Sequence, residues 1–167
     1  MSFDAVITEQ DRLLTINHFK DGEVLNALPG VHISPMYLDT VKGTWALYAR
    51  FEPGTLLPKH YHSGTVHFYT TKGSWNYVEH PEDPQTAGSY LFEPAGSFHT
   101  FESKEGAEGF LIVEGANVNL NEDGSLMFIM DAGWIEQTII AVARETGQEL
   151  PPYIKPGDTG FAPVHQG

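Results

Sequence analysis

Residues 88–99 read Gly-Ser-Tyr-Leu-Phe-Glu-Pro-Ala-Gly-Ser-Phe-His, and residues 54–62 read Gly-Thr-Leu-Leu-Pro-Lys-His-Tyr-His. Each stretch begins with a glycine and ends with a histidine. In the later stretch a strand runs into a Pro/Gly turn, and the next strand opens with His99. If these residues fold back as a hairpin in a small barrel, His99 reaches the cavity that holds the histidines of the earlier stretch.

The rest of the chain is typical of many short strands joined by tight turns. Its 167 residues include 17 Gly and 11 Pro, scattered singly rather than in tracts. The expected strands recur at the spacing of a barrel or sandwich. They cover residues 13–16, 31–37 (interrupted at Pro35), 44–51, 60–62, 66–71, 75–79, 90–92, 98–101, 109–114 and 126–130, with a turn at 72–73 and a Pro/Asp/Gly-rich stretch at 80–88.

Residues 133–146 differ from the predicted strands, because their apolar side chains recur at helical spacing. Ile135, Ile139, Ile140 and Ala143 share one face, and Gly147 is the expected stop. The remaining tail is rich in proline, so we expect it to be extended, either wrapped on a neighbouring subunit or loose. The prediction is one all-β domain with a C-terminal helix. It comprises an N-terminal arm with strands at 1–43, a barrel core at 44–130, and the helix and tail at 131–167.

Composition excludes several classes of function. The formal net charge of −13 argues against nucleic acid or an anionic membrane as a partner, because both select basic surfaces. The chain has no Cys, which excludes disulfides, thiol chemistry and cysteine metal sites. It also has no apolar run long enough to span a membrane and no signal-peptide pattern at its start, so we expect a cytoplasmic location.

The histidines carry the functional signal. Side chains alternate along a strand, so His60 and His62 point to the same face and can bind one ion together. A His-x-His pair alone is more often coincidental. The distant His99 in its Gly/Pro frame changes this, and the three together predict a metal site. Three neutral imidazoles leave a divalent ion its full charge and open positions for other ligands.

The same residues resemble the two motifs of the cupins, which implies a double-stranded β-helix, or jelly-roll, barrel. The first motif fits through Gly54, His60 and His62, but His67 stands where a glutamate is expected and Gly73 comes one residue early. The second motif fits through the positions Gly88, Pro94, Gly96 and His99, with Ser103 in the place of an asparagine.

More narrowly, residues 57–80 and 90–100 are similar to the 2,4'-dihydroxyacetophenone dioxygenase group of cupins. Residues 120–124 and 132–134 are also similar to acetylacetone dioxygenases. Both groups are three-histidine enzymes. The resemblance implies a mononuclear non-haem dioxygenase that cleaves a C–C bond of a β-diketone or α-hydroxyketone with O₂. The expected metal is Fe(II), although the purified protein could carry Zn or Ni. The sequence contains neither a dinucleotide-binding fingerprint nor a P-loop, so no second cofactor is expected.

Three further residues are candidates for handling the substrate's proton: Glu93, Glu79 and His67, in that order. Glu93 either orients a ligand imidazole or is a solvated turn residue. Glu79 shares a strand face with Trp75 and Tyr77. If that face points inward, Glu79 is a base or an extra ligand in the cavity; if it points to solvent, Glu79 is a surface charge. His67 is a fourth ligand, a group near the substrate, or a side chain turned away from the metal.

Two other functions compete with the dioxygenase. One is a non-catalytic zinc-binding cupin of the anti-sigma-factor type, which the lack of a second module in the sequence disfavours. The other is a metal-dependent isomerase or lyase that uses the same ligands without oxygen. Exposed sheet edges and the proline-rich tail predict a homodimer or homotetramer.

Overall fold

The computed structural model describes residues 14–156, in which thirteen strands and two helices form. Almost all of the regular structure is β, with one long helix near the end, which confirms the predicted fold class. The elements are α1 (His18–Asp21), β1 (Val24–Leu28), β2 (Val31–Leu38), β3 (Thr44–Phe51), β4 (Thr55–Leu56), β5 (His60–His62), β6 (Val66–Tyr77), β7 (His80–Thr86), β8 (Tyr90–Glu93), β9 (Phe98–His99), β10 (Phe101–Ser103), β11 (Ala107–Glu114), β12 (Asn117–Leu120), β13 (Leu126–Met130) and α2 (Ala132–Thr146).

The strands form two antiparallel sheets. The larger has nine strands in the order β1-β2-β3-β11-β6-β10-β4, with β7 and β8 also paired to β6. The smaller has the order β13-β12-β5-β9. Residues from both sheets line one apolar cavity, so the sheets curl around a common interior. This curled arrangement agrees with the barrel or sandwich that the spacing of the strands predicts.

Alternate side chains of the central strand β3 line the interior. Trp45, Leu47, Ala49 and Phe51 all border the cavity, as period-two patterning requires, while Ala46 and Tyr48 on the opposite face are also buried. Neighbouring β11 approaches β6 so closely that a Cβ on Gly109 would lie 2.3 Å from the Phe68 ring. Glycine is needed there because the ring occupies the space of a side chain.

The turn predicted at residues 72–73 is wrong, because these residues lie inside strand β6. The strand runs unbroken from Val66 to Tyr77, and its ladder with β11 absorbs a register shift between Glu108 and Gly109. Gly73 has a φ of +72°, and a Cβ there would lie 2.1 Å from the Gly106 carbonyl oxygen. The glycine therefore marks an irregularity within a strand, not the end of one.

Other boundaries also differ from the prediction. Residues 14–17 belong to no strand and are followed by α1, while Leu13 lies outside the described residues. The predicted interruption at Pro35 is a register shift inside continuous β2. The Pro/Asp/Gly-rich stretch is strand β7, whose side chains are almost all exposed. Strands β1, β4 and β12 had no counterpart in the prediction.

The predicted helix is confirmed as α2. Asp131 caps its start by accepting a hydrogen bond from the Trp134 N–H at 2.7 Å, and Gly147 ends it in the left-handed region. Beyond it the described part of the tail, which ends at residue 156, packs on its own chain. Ile154 exchanges backbone hydrogen bonds with β2, and Tyr153 is buried. In residues 14–156 no helix has the length and apolar character needed to cross a membrane.

Candidate metal centre

Strand β5 supplies the first two histidines. His60 and His62 are both buried, whereas Tyr61 between them is exposed, so the alternation places both imidazoles on the inner face. The strand lies between β12 and β9, and His60 is paired in register with His99 of β9. The Pro/Gly turn after β8 returns the chain to this position, as the Gly/Pro frame of the sequence predicts.

The three imidazoles converge on one point. One ring nitrogen from each of His60, His62 and His99 lies within 4.8 Å of the others. The Nε2 atoms of His62 and His99 are 3.0 Å apart. His60 uses its other nitrogen differently, because its Nδ1–H donates to the Pro58 carbonyl at 2.9 Å. That hydrogen bond fixes the tautomer and leaves the Nε2 lone pair of His60 free to bind an ion.

Glu93 ends β8 and joins the same point. It is buried, and its Oε2 lies 2.9 Å from His62 Nε2 and 3.2 Å from His99 Nε2. No hydrogen-bond donor is directed at this oxygen. The sequence left two interpretations of Glu93 open. Its burial contradicts the one in which it is a solvated turn residue, and its carboxylate is part of the site.

Tyr77 of β6 holds the other oxygen of that carboxylate. Its hydroxyl donates to Glu93 Oε1, and its ring stacks on His99 with centroids 3.6 Å apart. Burial, and then the Glu93 charge, raise the pKa of Tyr77 well above 10, so the phenol stays protonated and remains a donor. The sequence indicates Tyr77 only as a residue on the same strand face as Glu79, because its contact with Glu93 depends on the packing of distant strands.

The protonation states suit metal binding. Burial, and next the neighbouring His62, lower the pKa of His60 from 6.5 to about 4, so this imidazole is neutral at neutral pH. Burial by itself would raise the pKa of the Glu93 carboxyl, but the close imidazoles of His62 and His99 outweigh it and hold that pKa well below its usual range. The site therefore presents a neutral His60 imidazole and an ionised Glu93 carboxylate.

A cavity of about 90 Å³ adjoins the cluster. Its polar groups gather at one end, where His60, His62 and Glu93 meet Tyr77. The remaining wall is almost wholly apolar and aromatic, with Val31, Ile33, Trp45, Leu47, Phe51, Val66, Phe68, Trp75, Phe101, Leu111, Val113, Phe128 and Met130 among its residues. Such a cavity suits a small, largely apolar ligand with polar atoms at one end.

Two buried asparagines of β12 also line the cavity. Asn117 is opposite His62 in the ladder, and Asn119 is opposite His60. Asn119 Nδ2 donates to the Asn117 backbone carbonyl at 3.1 Å, whereas the buried Oδ1 of Asn117 has no hydrogen-bond donor. The alternation in Asn117-Val118-Asn119 mirrors that of the His-x-His pair and could have drawn attention to these residues in the sequence.

His67 does not join the cluster. In β6 the inward residues are Val66 and Phe68, so His67 between them points to the outer face. There its Nδ1 lies 2.7 Å from the Tyr90 hydroxyl, and its ring contacts that of Phe92. This placement corrects the candidate roles of His67 as a ligand or proton handler, because strand alternation turns it away from the metal point.

Glu79 also lies outside the cluster and the cavity. Strand β6 ends at Tyr77, so the alternation that would have aimed Glu79 inward stops two residues too early. Its carboxylate accepts hydrogen bonds from the Thr100 N–H at 2.8 Å and the Thr100 hydroxyl at 3.0 Å. It also lies 3.5 Å from Lys59 Nζ. The structure therefore corrects the expectation that Glu79 is a base or ligand in the cavity, and its bonds instead tie the end of β6 to Thr100.

The donor atoms fit a divalent ion. Donors about 2.1 Å from an ion and at right angles to one another are about 3.0 Å apart. The three distances among His62 Nε2, His99 Nε2 and Glu93 Oε2 are 2.9, 3.0 and 3.2 Å. A buried carboxylate oxygen with no donor, facing convergent imidazole nitrogens, is left uncompensated without a cation. His60, His62 and His99 can therefore hold a metal ion, with Glu93 beside them, and this donor set does not select one metal.

Comparisons with known proteins agree with the fold. The model of the ChrR cupin-like domain family matches residues 14–118. A protein of unknown function with a cupin-like fold from Ralstonia eutropha JMP134 is 36% identical, with a TM-score of 0.79, and the match covers 89% of this chain and 95% of that one. An RmlC-like cupin from the same organism is 24% identical, with a TM-score of 0.71 and coverages of 96% and 98%.

An acetylacetone dioxygenase from Acinetobacter johnsonii is more distant in sequence. It is 16% identical, with a TM-score of 0.68, and the match covers 79% of this chain and 93% of that one. At this identity the likeness concerns the fold. No curated protein matches the chain.

Proposed function

The chain belongs to the ChrR cupin-like domain family, and from that premise we propose that it is a mononuclear non-haem dioxygenase of small ketones. The proposed reaction cleaves a C–C bond of a β-diketone or an α-hydroxyketone. The two atoms of O₂ enter the two products, so the reaction needs no external reductant. The observation that carries the proposal is the position of the His60, His62 and His99 cluster beside a largely apolar cavity.

The open side of the cluster supports catalysis over a purely structural metal site. A structural metal site leaves no position open to a ligand, whereas a catalytic metal keeps positions for substrate. Here the cavity adjoins His60 and His62 directly, so a small ligand can approach the ion. An Fe(II) ion bound there would supply O₂ activation and a site for two neighbouring ketone oxygens.

Residues of the chain would serve this chemistry in three ways. His60, His62 and His99 hold the ion, and we propose that Glu93 Oε2 is a fourth donor, because its spacing to two of the imidazoles matches that of neighbouring ligands. Tyr77 fixes the carboxylate through Oε1. The apolar walls take the hydrocarbon part of the substrate and exclude water.

Glu93 is also the remaining candidate for receiving the substrate's acidic proton. Of the three residues that the sequence suggested for this step, it alone reaches the cavity. The metal content of a Glu93→Gln variant separates the two roles, because a proton acceptor alone would leave metal binding unchanged.

The names of structural neighbours support the same reaction class. An acetylacetone dioxygenase shares the fold, and so does a protein described as a putative acetylacetone dioxygenase from Methylibium petroleiphilum PM1, with a TM-score of 0.69. Acetylacetone is a small β-diketone, and its size and polarity suit the cavity.

The test is oxygen uptake by protein that has been loaded with Fe(II) under anaerobic conditions. An oxygen electrode follows a panel of β-diketones and α-hydroxyketones, and the products are identified by mass spectrometry with ¹⁸O₂. One O₂ consumed per substrate, with label in both products, is the expected result. The matched control is the same protein loaded with Zn(II), which cannot change oxidation state and should consume none. If no substrate in the panel supports uptake by the iron protein, the dioxygenase proposal fails.

The donor set also fits a second candidate, a non-catalytic zinc-binding cupin. Three imidazoles and a carboxylate suit zinc as well as iron. Tight Zn(II) binding without oxygen uptake in the assay above would support this function. Turnover of a ketone without oxygen consumption would instead support an isomerase or lyase.

A further inference from the structure

Three buried side-chain atoms in residues 14–156 have no hydrogen-bond partner: His62 Nδ1, Glu93 Oε2 and Asn117 Oδ1. Such atoms are rare because each costs about 1–3 kcal/mol. Glu93 Oε2 faces the metal point and is accounted for by a bound ion. The other two atoms lie on adjacent strands and need a separate explanation.

The ladder places His62 and Asn117 directly opposite each other. The backbone hydrogen bonds between these strands link Ser63 to Ala116 and Lys59 to Leu120, both at 2.9 Å. Hydrogen-bonded and non-hydrogen-bonded pairs alternate along an antiparallel ladder, so residues 62 and 117 form a non-hydrogen-bonded pair. Side chains are closest in such pairs, with Cβ atoms about 4.5–5.5 Å apart. Both side chains are buried and face the interior.

The chemistry of the two atoms is complementary. His62 turns its Nε2 toward His99 and Glu93, so metal binding at Nε2 requires the proton to be on Nδ1. That N–H is a donor without an acceptor, while Asn117 Oδ1 is an acceptor without a donor. His60 already has the equivalent support, since its Nδ1–H donates to Pro58. Ligand histidines are regularly oriented through the ring nitrogen that does not bind the metal.

We propose that Asn117 is a positioning residue for the metal centre, whose Oδ1 accepts a hydrogen bond from His62 Nδ1–H, directly or through one buried water. This inference rests on the metal-binding part of the proposed function and is independent of the dioxygenase reaction. It gives each of the two unpaired atoms, His62 Nδ1 and Asn117 Oδ1, a hydrogen-bond partner. Asn119, opposite the already supported His60, has no such role.

The main test measures Zn(II) affinity by chelator competition in the wild type and in Asn117→Leu, Asn117→Asp and Asn119→Leu. N117L keeps the branched shape of the side chain and removes the acceptor, so its affinity should fall about 10–100-fold. N117D keeps an oxygen in the same place and should bind at least as tightly as the wild type. N119L is the matched control and should stay within about threefold of the wild type, because His60 keeps its bond to Pro58.

Each outcome decides the inference. If N117L binds zinc as tightly as the wild type, or if N117L and N117D lose affinity equally, Asn117 is not a positioning residue. An unchanged zinc affinity with a raised KM for the ketone would instead assign Asn117 to the substrate, which also overturns the inference. If the wild type itself binds no zinc, the metal proposal fails first, and the two failures are thereby distinguished.

A second measurement needs no variant, so it still decides the question if N117L does not fold. A crystal structure of the zinc-loaded wild type should show His62 Nδ1 about 2.7–3.2 Å from Asn117 Oδ1, or one water within that distance of both. A dry gap between the two atoms would contradict the inference.

Discussion

Two sets of histidine and glutamate residues lie close together in the chain but have opposite environments. The inner cluster consists of His60, His62, His99 and Glu93, all buried and convergent on one point. The outer pair consists of His67 and Glu79, which bond to Tyr90 and Thr100 outside the cavity. The residue types are the same, so chemistry alone does not distinguish the two sets.

What separates them is backbone position. His62 and Glu93 occupy inward positions of their strands, whereas His67 occupies an outward position of β6, and Glu79 follows the end of that strand. A shift of one residue in a strand moves a side chain to the other face of the sheet. A histidine in the place of a motif's glutamate therefore does not inherit the role of that glutamate.

The largest expected effect follows from removing a ligand of the inner cluster. His99→Ala should strongly reduce metal content and any metal-dependent oxygen uptake, because it removes one of the three imidazoles that converge on the metal point. Metal content after iron or zinc loading, measured by elemental analysis, checks this. His67→Ala is the matched control from the outer pair and should retain full metal content. Equal losses in the two variants would erase the distinction between inner and outer residues.

The carboxylates provide a second contrast. Glu93→Gln keeps the shape of the side chain but removes its charge, so zinc affinity should fall by at least about 100-fold, beyond the effect of an outer-shell partner. Glu79→Gln should stay within about threefold of the wild type, because that carboxylate bonds to Thr100 away from the site. Chelator competition measures both. Unchanged zinc affinity in E93Q would remove Glu93 from the ligand set.

Much of the inner cluster could be predicted from the sequence. His60 and His62 follow from the alternation of a three-residue strand, and His99 follows from the spacing of the Gly/Pro frame. Helix α2 was equally accessible, because its buried positions Ile135, Ile139 and Ala143 recur at helical spacing and a glycine ends it. In each case local periodicity and turn chemistry determine the structure.

The remainder depends on contacts that local patterns do not contain. The contact of Tyr77 with Glu93 is not made within a ladder, because β8 pairs Glu93 with Val66 at the other end of β6. The position of Asn117 requires β12 to pair with β5. The orientation of Glu79 failed as a prediction because β6 ends two residues earlier than simple alternation assumes. Strand β7 was missed for a different reason: its exposed, proline-containing sequence lacks the apolar side chains that normally reveal a strand.

Acid should destabilise the metal-free protein through the inner cluster. The pKa of His60 is lowered from 6.5 to about 4, so below about pH 6.5 the unfolded chain binds a proton that the folded chain excludes. The free energy of unfolding should therefore fall by about 2 kcal/mol between about pH 7 and about pH 5. Urea denaturation at several pH values measures this change. His60→Gln lacks the titrating group and should lose less over the same window, whereas an unchanged slope in that variant would contradict the assignment to His60.

The smallest expected effect concerns the hydroxyl that holds Glu93. Tyr77→Phe keeps the ring stacked on His99 but removes the donor to Glu93 Oε1. The carboxylate stays in place with less restraint, so zinc affinity should fall about tenfold, at the lower end of the effect of losing an outer-shell partner. Tyr90→Phe is the matched control, because it removes the hydroxyl that contacts His67 on the outer face and should leave zinc affinity unchanged. If both phenylalanine variants bind zinc as the wild type does, the inner cluster holds its carboxylate without help from the barrel wall.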